Sequence, residues 1–120
     1  MTATCDAEVG AFTGGAVITL SGDIDGTAAD VLTAAYEHAV AQHDPATVVL
    51  DFAAVSYINS TGIALIVSVL ARARAQRRSV VACGLSEHYR EIFDITRLSD
   101  FIELFPDLEH AVSQLVPPAG

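Results

Sequence analysis

Thr47-Val48-Val49-Leu50-Asp51-Phe52 and, beyond Ala53-Ala54-Val55, Ser56-Tyr57-Ile58-Asn59-Ser60-Thr61-Gly62 form the stretch on which the fold turns. The first run is β-branched and apolar without alternation, which suits a central strand covered on both faces. The second predicts a polar turn, after which Gly62 opens the longest apolar-periodic segment of the chain. Ser60 is thereby placed where a helix starts. Small polar side chains are favoured there because their oxygens accept hydrogen bonds from unpaired backbone N–H groups.

That helix is predicted over residues 61–77. Ile63, Ile66, Val67 and Leu70 follow the i, i+3, i+4, i+7 rule, Ala73 continues the stripe, and this face is expected against the sheet. Leu65, Val69 and Arg72 run along another side. They either join the Ser60 turn in one partner-binding strip or pack beneath the first or third helix. Arg72, Arg74, Arg77 and Arg78 crowd the C-terminal end, where cations complement the helix dipole.

Upstream, residues 7–12 and 16–21 predict two strands around Thr13-Gly14-Gly15, since a Gly-Gly pair supplies the positive φ of a tight hairpin. An acidic, glycine-containing turn follows, Ser21-Gly22-Asp23-Ile24-Asp25-Gly26. The first helix is expected from Thr27, with Thr27 and Asp30 at capping-box spacing. Val31, Ala35 and Ala39, with Leu32 and Tyr36, make its buried face, and Gln42-His43-Asp44-Pro45 stops it.

Downstream, residues 79–83 predict a strand closed by Gly84. Residues 86–98 predict a helix with Tyr89, Ile92, Phe93 and Ile95 turned inward. A short strand over 101–105 precedes a final helix that Pro106 and Asp107 open, that reaches Leu115 and that Pro117-Pro118 end. Residues 116–120 are expected to fray. The alternation predicts an α/β fold, a mostly parallel mixed sheet of about five strands with about four helices and an antiparallel N-terminal hairpin. Residues 1–120 make a single domain with its ordered core over 6–115.

Composition narrows the function classes. With 52% apolar and 18% charged residues in 120, the chain has the makings of a packed core without disulfides. No apolar run approaches the ~20 residues that span a bilayer, and the N-terminus lacks a basic, apolar leader pattern, which points to the cytoplasm. Net charge is −9 and the six basic residues are all arginine, so nucleic acid and anionic membrane are disfavoured partners. The lack of lysine removes every lysine-based phosphate site. Cys5 and Cys83 show no metal or redox spacing and read as reduced structural thiols. His38, His43, His88 and His110 lack metal-ligand spacing, so neither a metal site nor a cofactor is expected.

The chain resembles the STAS domain family, named for sulphate transporters and anti-sigma-factor antagonists. It looks most like a free-standing bacterial anti-sigma factor antagonist. Ser21-Gly22-Asp23-Ile24-Asp25 is similar to the family's G-E-L-D segment. Val49-Leu50-Asp51-Phe52 with Tyr57-Ile58-Asn59-Ser60-Thr61-Gly62 resembles its central signature ending in D-S-S/T-G, and Ile92-Phe93-Asp94-Ile95-Thr96-Arg97-Leu98 its closing stretch. The resemblance implies partner switching. The unmodified protein binds an anti-sigma factor that is also a serine kinase, so freeing a sigma factor, and the kinase uses ATP to phosphorylate Ser60 and is released. Partner-binding residues are then Asp23, Asp25, Asn59, Ser60, Thr61 and Gly62, with Leu65, Val69 and Arg72 if the helix strip contributes. Asp23, Asp25 and Asp51 are expected close enough to Ser60 to repel its phosphate. A weak homodimer is a further expectation. Asn59 stands where the family carries aspartate. The amide keeps size and turn preference but loses a charge.

Other classes leave their marks too. A STAS subunit of another assembly, such as a stressosome or a lipid-transport complex, would share the fold without the phosphate switch. A serine hydrolase would need the missing first glycine of G-x-S-x-G, where Ile58 stands, and a triad through His88 or His110. A phospho-receiver would need Asp51 clustered with Asp23 and Asp25 beside a cation; as turn formers, Asp51 and Asp23 would instead bond nearby backbone amides.

Overall fold

The computed structural model describes residues 4–115. Strands β1 (Asp6–Phe12), β2 (Gly15–Ile24), β3 (Thr47–Ile58), β4 (Ser79–Cys83) and β5 (Glu103–Phe105) form one five-stranded sheet in that spatial order. The β1–β2 hairpin is antiparallel and every other pairing is parallel. Four helices accompany it: α1 (Ala29–His43), α2 (Ser60–Ala75), α3 (Glu87–Ile95) and α4 (Leu108–Leu115).

The apolar runs of the central strands are explained by cover on both faces. Val48, Leu50 and Phe52 of β3 turn with Ile18, Leu20, Val80 and Ala82 into one cluster, which Tyr36 of α1, Ile66 of α2 and Phe93 of α3 complete. Val49 turns the other way, with Val17, Val81 and Cys83, and packs against Ala111 of α4. Alternation within each strand thus feeds two cores.

The strands β2 and β3 are longer than predicted. Ser56, Tyr57 and Ile58 continue β3 instead of forming a turn, and Asp23 and Ile24 continue β2 in register with Tyr57 and Ile58. Two register shifts, at Thr19/Ser21 and Gly22/Asp23, let the pair bend, and Gly22 takes a positive φ of 82° beside the second. Ile24 and Ile58 are both buried, and that burial outweighs the polar character of their neighbours.

Helix boundaries move for local reasons. The Thr27–Asp30 capping box does not form. Asp25 Oδ1 instead accepts from the Thr27 N–H at 2.9 Å and the Thr27 hydroxyl at 2.6 Å, capping a 3-10 turn that leads into α1. These bonds hold the Asp25 carboxyl below its usual range. α3 starts on its Ser86 cap but stops at Ile95, where the Thr96 hydroxyl donates back to the Ile92 carbonyl and Arg97 turns left-handed at φ 65°. Ile95 is consequently 79% exposed, not turned inward, and Phe101 lies outside β5. Val67 is also exposed, because the buried stripe of α2 is Gly62, Ile66, Val69 and Ala73, rotated from the predicted set. Asp107 Oδ1 caps α4 by accepting from the His110 N–H at 2.8 Å, so Pro106 precedes the helix instead of sitting in its first turn. The predicted fraying of 116–120 lies outside the described residues.

Arg78 ties two connections together. Its guanidinium donates to the Pro45 carbonyl at 2.6 Å and to Asp44 Oδ1 at 2.8 Å, joining the α1–β3 loop to the α2–β4 loop. Charge-assisted bonds of this kind contribute roughly 1.5–3 kcal/mol, so Arg78→Met should lower unfolding free energy by about that much in urea titrations. A loss below about 0.5 kcal/mol would show that the clamp is ornamental.

Both cysteines are buried free thiols. Burial, followed by the charge of Asp51, pushes the Cys83 thiol up to about 12. Since the thiolate is the nucleophile, Cys83 in the folded protein should react with a disulfide reagent on the order of a thousandfold more slowly than an unperturbed thiol. Equal labelling rates before and after denaturation would contradict this.

Candidate functional site

The turn between β3 and α2 is fixed from three directions. The Ile58 N–H donates to the Tyr89 hydroxyl oxygen at 2.9 Å, which fastens the end of β3 to α3. The Asn59 N–H donates to the Ile24 carbonyl at 3.2 Å. Asn59 Oδ1 then accepts from the Gly62 N–H at 2.8 Å, and the Asn59 carbonyl from the Ile63 N–H at 2.9 Å. Asn59 is therefore the N-cap, with Ser60 the first helical residue; extension of β3 to Ile58 displaces the cap by one position from Ser60.

Relief from capping leaves the Ser60 hydroxyl uncommitted. Ser60 and Thr61 are exposed, and among the described residues neither side chain makes a hydrogen bond. Their backbone N–H groups are first-turn donors without an intrahelical acceptor, at the positive end of the α2 dipole. Gly62, by contrast, is buried directly against the Ile24 carbonyl, where any Cβ would overlap backbone.

The candidate residues assemble unequally. Asp23 pairs in register with Tyr57, and Asp25 caps the turn that α2 packs against, so both lie at the β2–β3 end that carries Asn59, Ser60, Thr61 and Gly62. Asp51 does not. It sits seven positions upstream of Ile58, roughly 20 Å along an extended strand, where its carboxylate accepts from the Ala53 N–H at 3.0 Å. It adds no repulsion to Ser60, and its separation from Asp23 and Asp25 breaks up the carboxylate cluster that a phospho-receiver requires.

Leu65, Val69 and Arg72 line a shallow groove between α2 and α1. Val69 is buried in the core and Leu65 is half-buried, so packing against α1 accounts for much of their apolar character. Arg72 closes the seam, bonding Glu37 at 2.9 Å and lying over the Tyr36 ring at 5.4 Å. Neither histidine completes a triad with Ser60. His88 is exposed on α3 and stacks edge-on with Tyr89, while His110 pairs with Asp107 at 2.7 Å beyond the end of β5, level in the sheet with Asp51.

Tyr57 is the residue whose place periodicity missed, and the bond that Tyr89 makes is the one it could not show. Tyr57 is 52% exposed three positions before Ser60, and reading β3 through to Ile58 with a period of two would have turned it outward. Tyr89 packs inward as expected, and its role as a strut under Ile58 depends on a contact across 31 residues.

Comparison with known proteins agrees with this architecture. The anti-sigma-B factor antagonist of Listeria monocytogenes is 38% identical over 55 residues, 46% of this chain and 48% of that protein, so the match spans about half of the relative. An anti-sigma factor antagonist from Mycobacterium paratuberculosis superposes with a TM-score of 0.75 at 26% identity, covering 96% of this chain and 98% of the other. SpoIIAA of Bacillus superposes at 0.69 in its unphosphorylated form and 0.70 in its phosphorylated form, at 19% and 20% identity, covering 90% and 92% of this chain and 94% and 99% of SpoIIAA. No helix among the described residues is long and apolar enough to cross a membrane. Residues 8–111 match the STAS domain, and the chain belongs to that family.

Proposed function

We propose that this protein is an anti-sigma factor antagonist, a regulatory binding protein and not an enzyme, whose hold on its partner ends when Ser60 is phosphorylated. The single observation that carries the reading is the Ser60 hydroxyl, exposed and unbonded at the first position of α2. The binding surface is the turn of Asn59, Ser60, Thr61 and Gly62 with the neighbouring Asp23 and Asp25, continued along Leu65, Val69 and Arg72 where the α1–α2 groove opens. The partner is an anti-sigma factor that is also a serine kinase. It supplies ATP, and Ser60 Oγ attacks the γ-phosphorus while ADP departs and a kinase base takes the hydroxyl proton.

The names of the relatives support the antagonist role, and the near-equal superposition on both forms of SpoIIAA fits a switch of surface charge on an unchanged fold. A phosphate brings about −1.5 to −2 charges to a helix end that accommodates them. The free protein tolerates the group, whereas a partner covering the site must desolvate it. Asn59 caps α2 as aspartate would, so replacing the family's aspartate leaves the turn intact and removes one charge from beside the hydroxyl. Incubation with ATP and the copurifying kinase should add one phosphate, located at Ser60 by mass spectrometry and absent from Ser60→Ala. Stable binding without phosphate transfer would instead indicate a STAS subunit of an assembly lacking the switch.

A further inference from the structure

A groove of about 770 Å³ runs beside the C-terminal half of α2, bounded on its far side by residues 98–103. Its helical wall carries Val67, Leu70 and Arg74, spaced over about 10 Å of α2, and Arg78 of the α2–β4 loop lines its end. Phe101 stands on the opposite wall at 65% exposure and Val67 on the near one at 43%. Arg78 is held by Asp44, whereas Arg74 has no ion pair among the described residues. Of the acids at the groove, Asp100 is engaged by Arg97, and Glu103 lies exposed at its edge.

Six residues before Phe101 the same segment presents Ile95, the most exposed of the large apolar side chains among the described residues. Glu91, one helical turn earlier, and the adjacent Asp94 flank it, both exposed. Arg90 lies five positions back and on another side of the helix. An apolar knob edged by carboxylates therefore adjoins an apolar groove edged by an unpaired guanidinium. At 79% exposure Ile95 is not seated in its own groove.

We infer that two copies of the chain associate through this edge about a two-fold axis, each placing Ile95, with Glu91 and Asp94, against Val67, Phe101 and Arg74 of the other. A two-fold contact requires both complementary halves in one patch, and a knob at 95 beside a groove walled by 98–103 meets that condition. Exposed apolar side chains rimmed by charge mark such surfaces, and the Arg74–carboxylate contacts offset locally the repulsion between two chains of net charge −9. Ser60 lies at the other end of α2, seven positions before Val67, so the contact leaves that turn open. The inference stands or falls independently of the proposed function.

Sedimentation velocity from about 10 μM to about 1 mM should show the mass climbing from 12.6 kDa toward twice that value. Ile95→Asp, Phe101→Ala and Arg74→Glu should each raise the dimer dissociation constant at least about tenfold. All three side chains are exposed, so circular dichroism should show the fold unchanged. The double variant Arg74→Glu/Glu91→Arg should recover association by restoring the charge pair with its sign reversed. A single 12.6 kDa species at every concentration, or a dimer that survives Ile95→Asp, would overturn the inference, and so would a double variant that stays dissociated.

Discussion

Ser60→Asp should weaken binding of the proposed anti-sigma factor partner on the order of a hundredfold while leaving the domain as stable as before or slightly more so. The two effects separate because they arise in different states. In the free protein a carboxylate at the first position of α2 meets unpaired N–H groups and the positive end of the dipole, worth roughly 0.3–1 kcal/mol. In the complex the same charge is covered, and an unpaired charge buried at an interface costs about 2–5 kcal/mol. Asp23 and Asp25 at the same end add repulsion and offer no counter-ion. Ser60→Ala, which adds no charge, should bind nearly as well as the natural protein and accept no phosphate. Titration calorimetry and thermal melts together decide the matter. Equal affinity of Ser60→Asp and the natural protein, or a melting temperature several degrees lower, would refute a charge-based switch.

Gly62→Ala should be the most damaging small substitution at the site, costing about 1–3 kcal/mol and lowering the melting temperature on the order of 10 °C. Alanine ordinarily stabilises a helix by roughly 1 kcal/mol over glycine, so the expected sign is the reverse of the propensity rule. The cause is steric. Gly62 sits against the Ile24 carbonyl and the Ile24 side chain, and a methyl group there meets backbone that is also bonded to the Asn59 N–H. Relief requires α2 to lift from β2, which disturbs the Asn59 cap and the position of Ser60 together. Stability equal to or above that of the natural protein would show that the helix end is looser than described.

Much of this was legible in the residues because most local signals agree with the tertiary outcome. Unbroken apolar strands, the hairpin around Gly14 and the start of the helix that follows Gly84 all emerge where local chemistry puts them. What escaped depends on distant partners. Ser56-Tyr57-Ile58 looks like a turn until Ile24 is known to pair with Ile58 and Tyr89 to receive its N–H. Thr27 is a sound cap candidate, yet Asp25 two residues earlier takes the Thr27 N–H and hydroxyl and caps a 3-10 turn in its place. The periodicity of α2 fixes its pitch but not its rotation, because Gly62 on β2 and Val69 facing α1 decide which stripe is covered. The place of Ser60 at the opening of α2 was readable, whereas its release from capping by Asn59 was a matter of one residue's register.

Every strand in the sheet neighbours the one before it in the chain, so a nascent polypeptide leaving the ribosome meets each pairing partner already in place. Such a sequential order keeps pairings between consecutive segments, with each parallel pairing waiting on its crossover. The last described element in chain order, α4, is also the lid over Val17, Val49 and Val81. Until it arrives that surface is bare, and a chain cut short before Leu108 would hold its pleated framework while presenting a greasy flank to chaperones and aggregates alike.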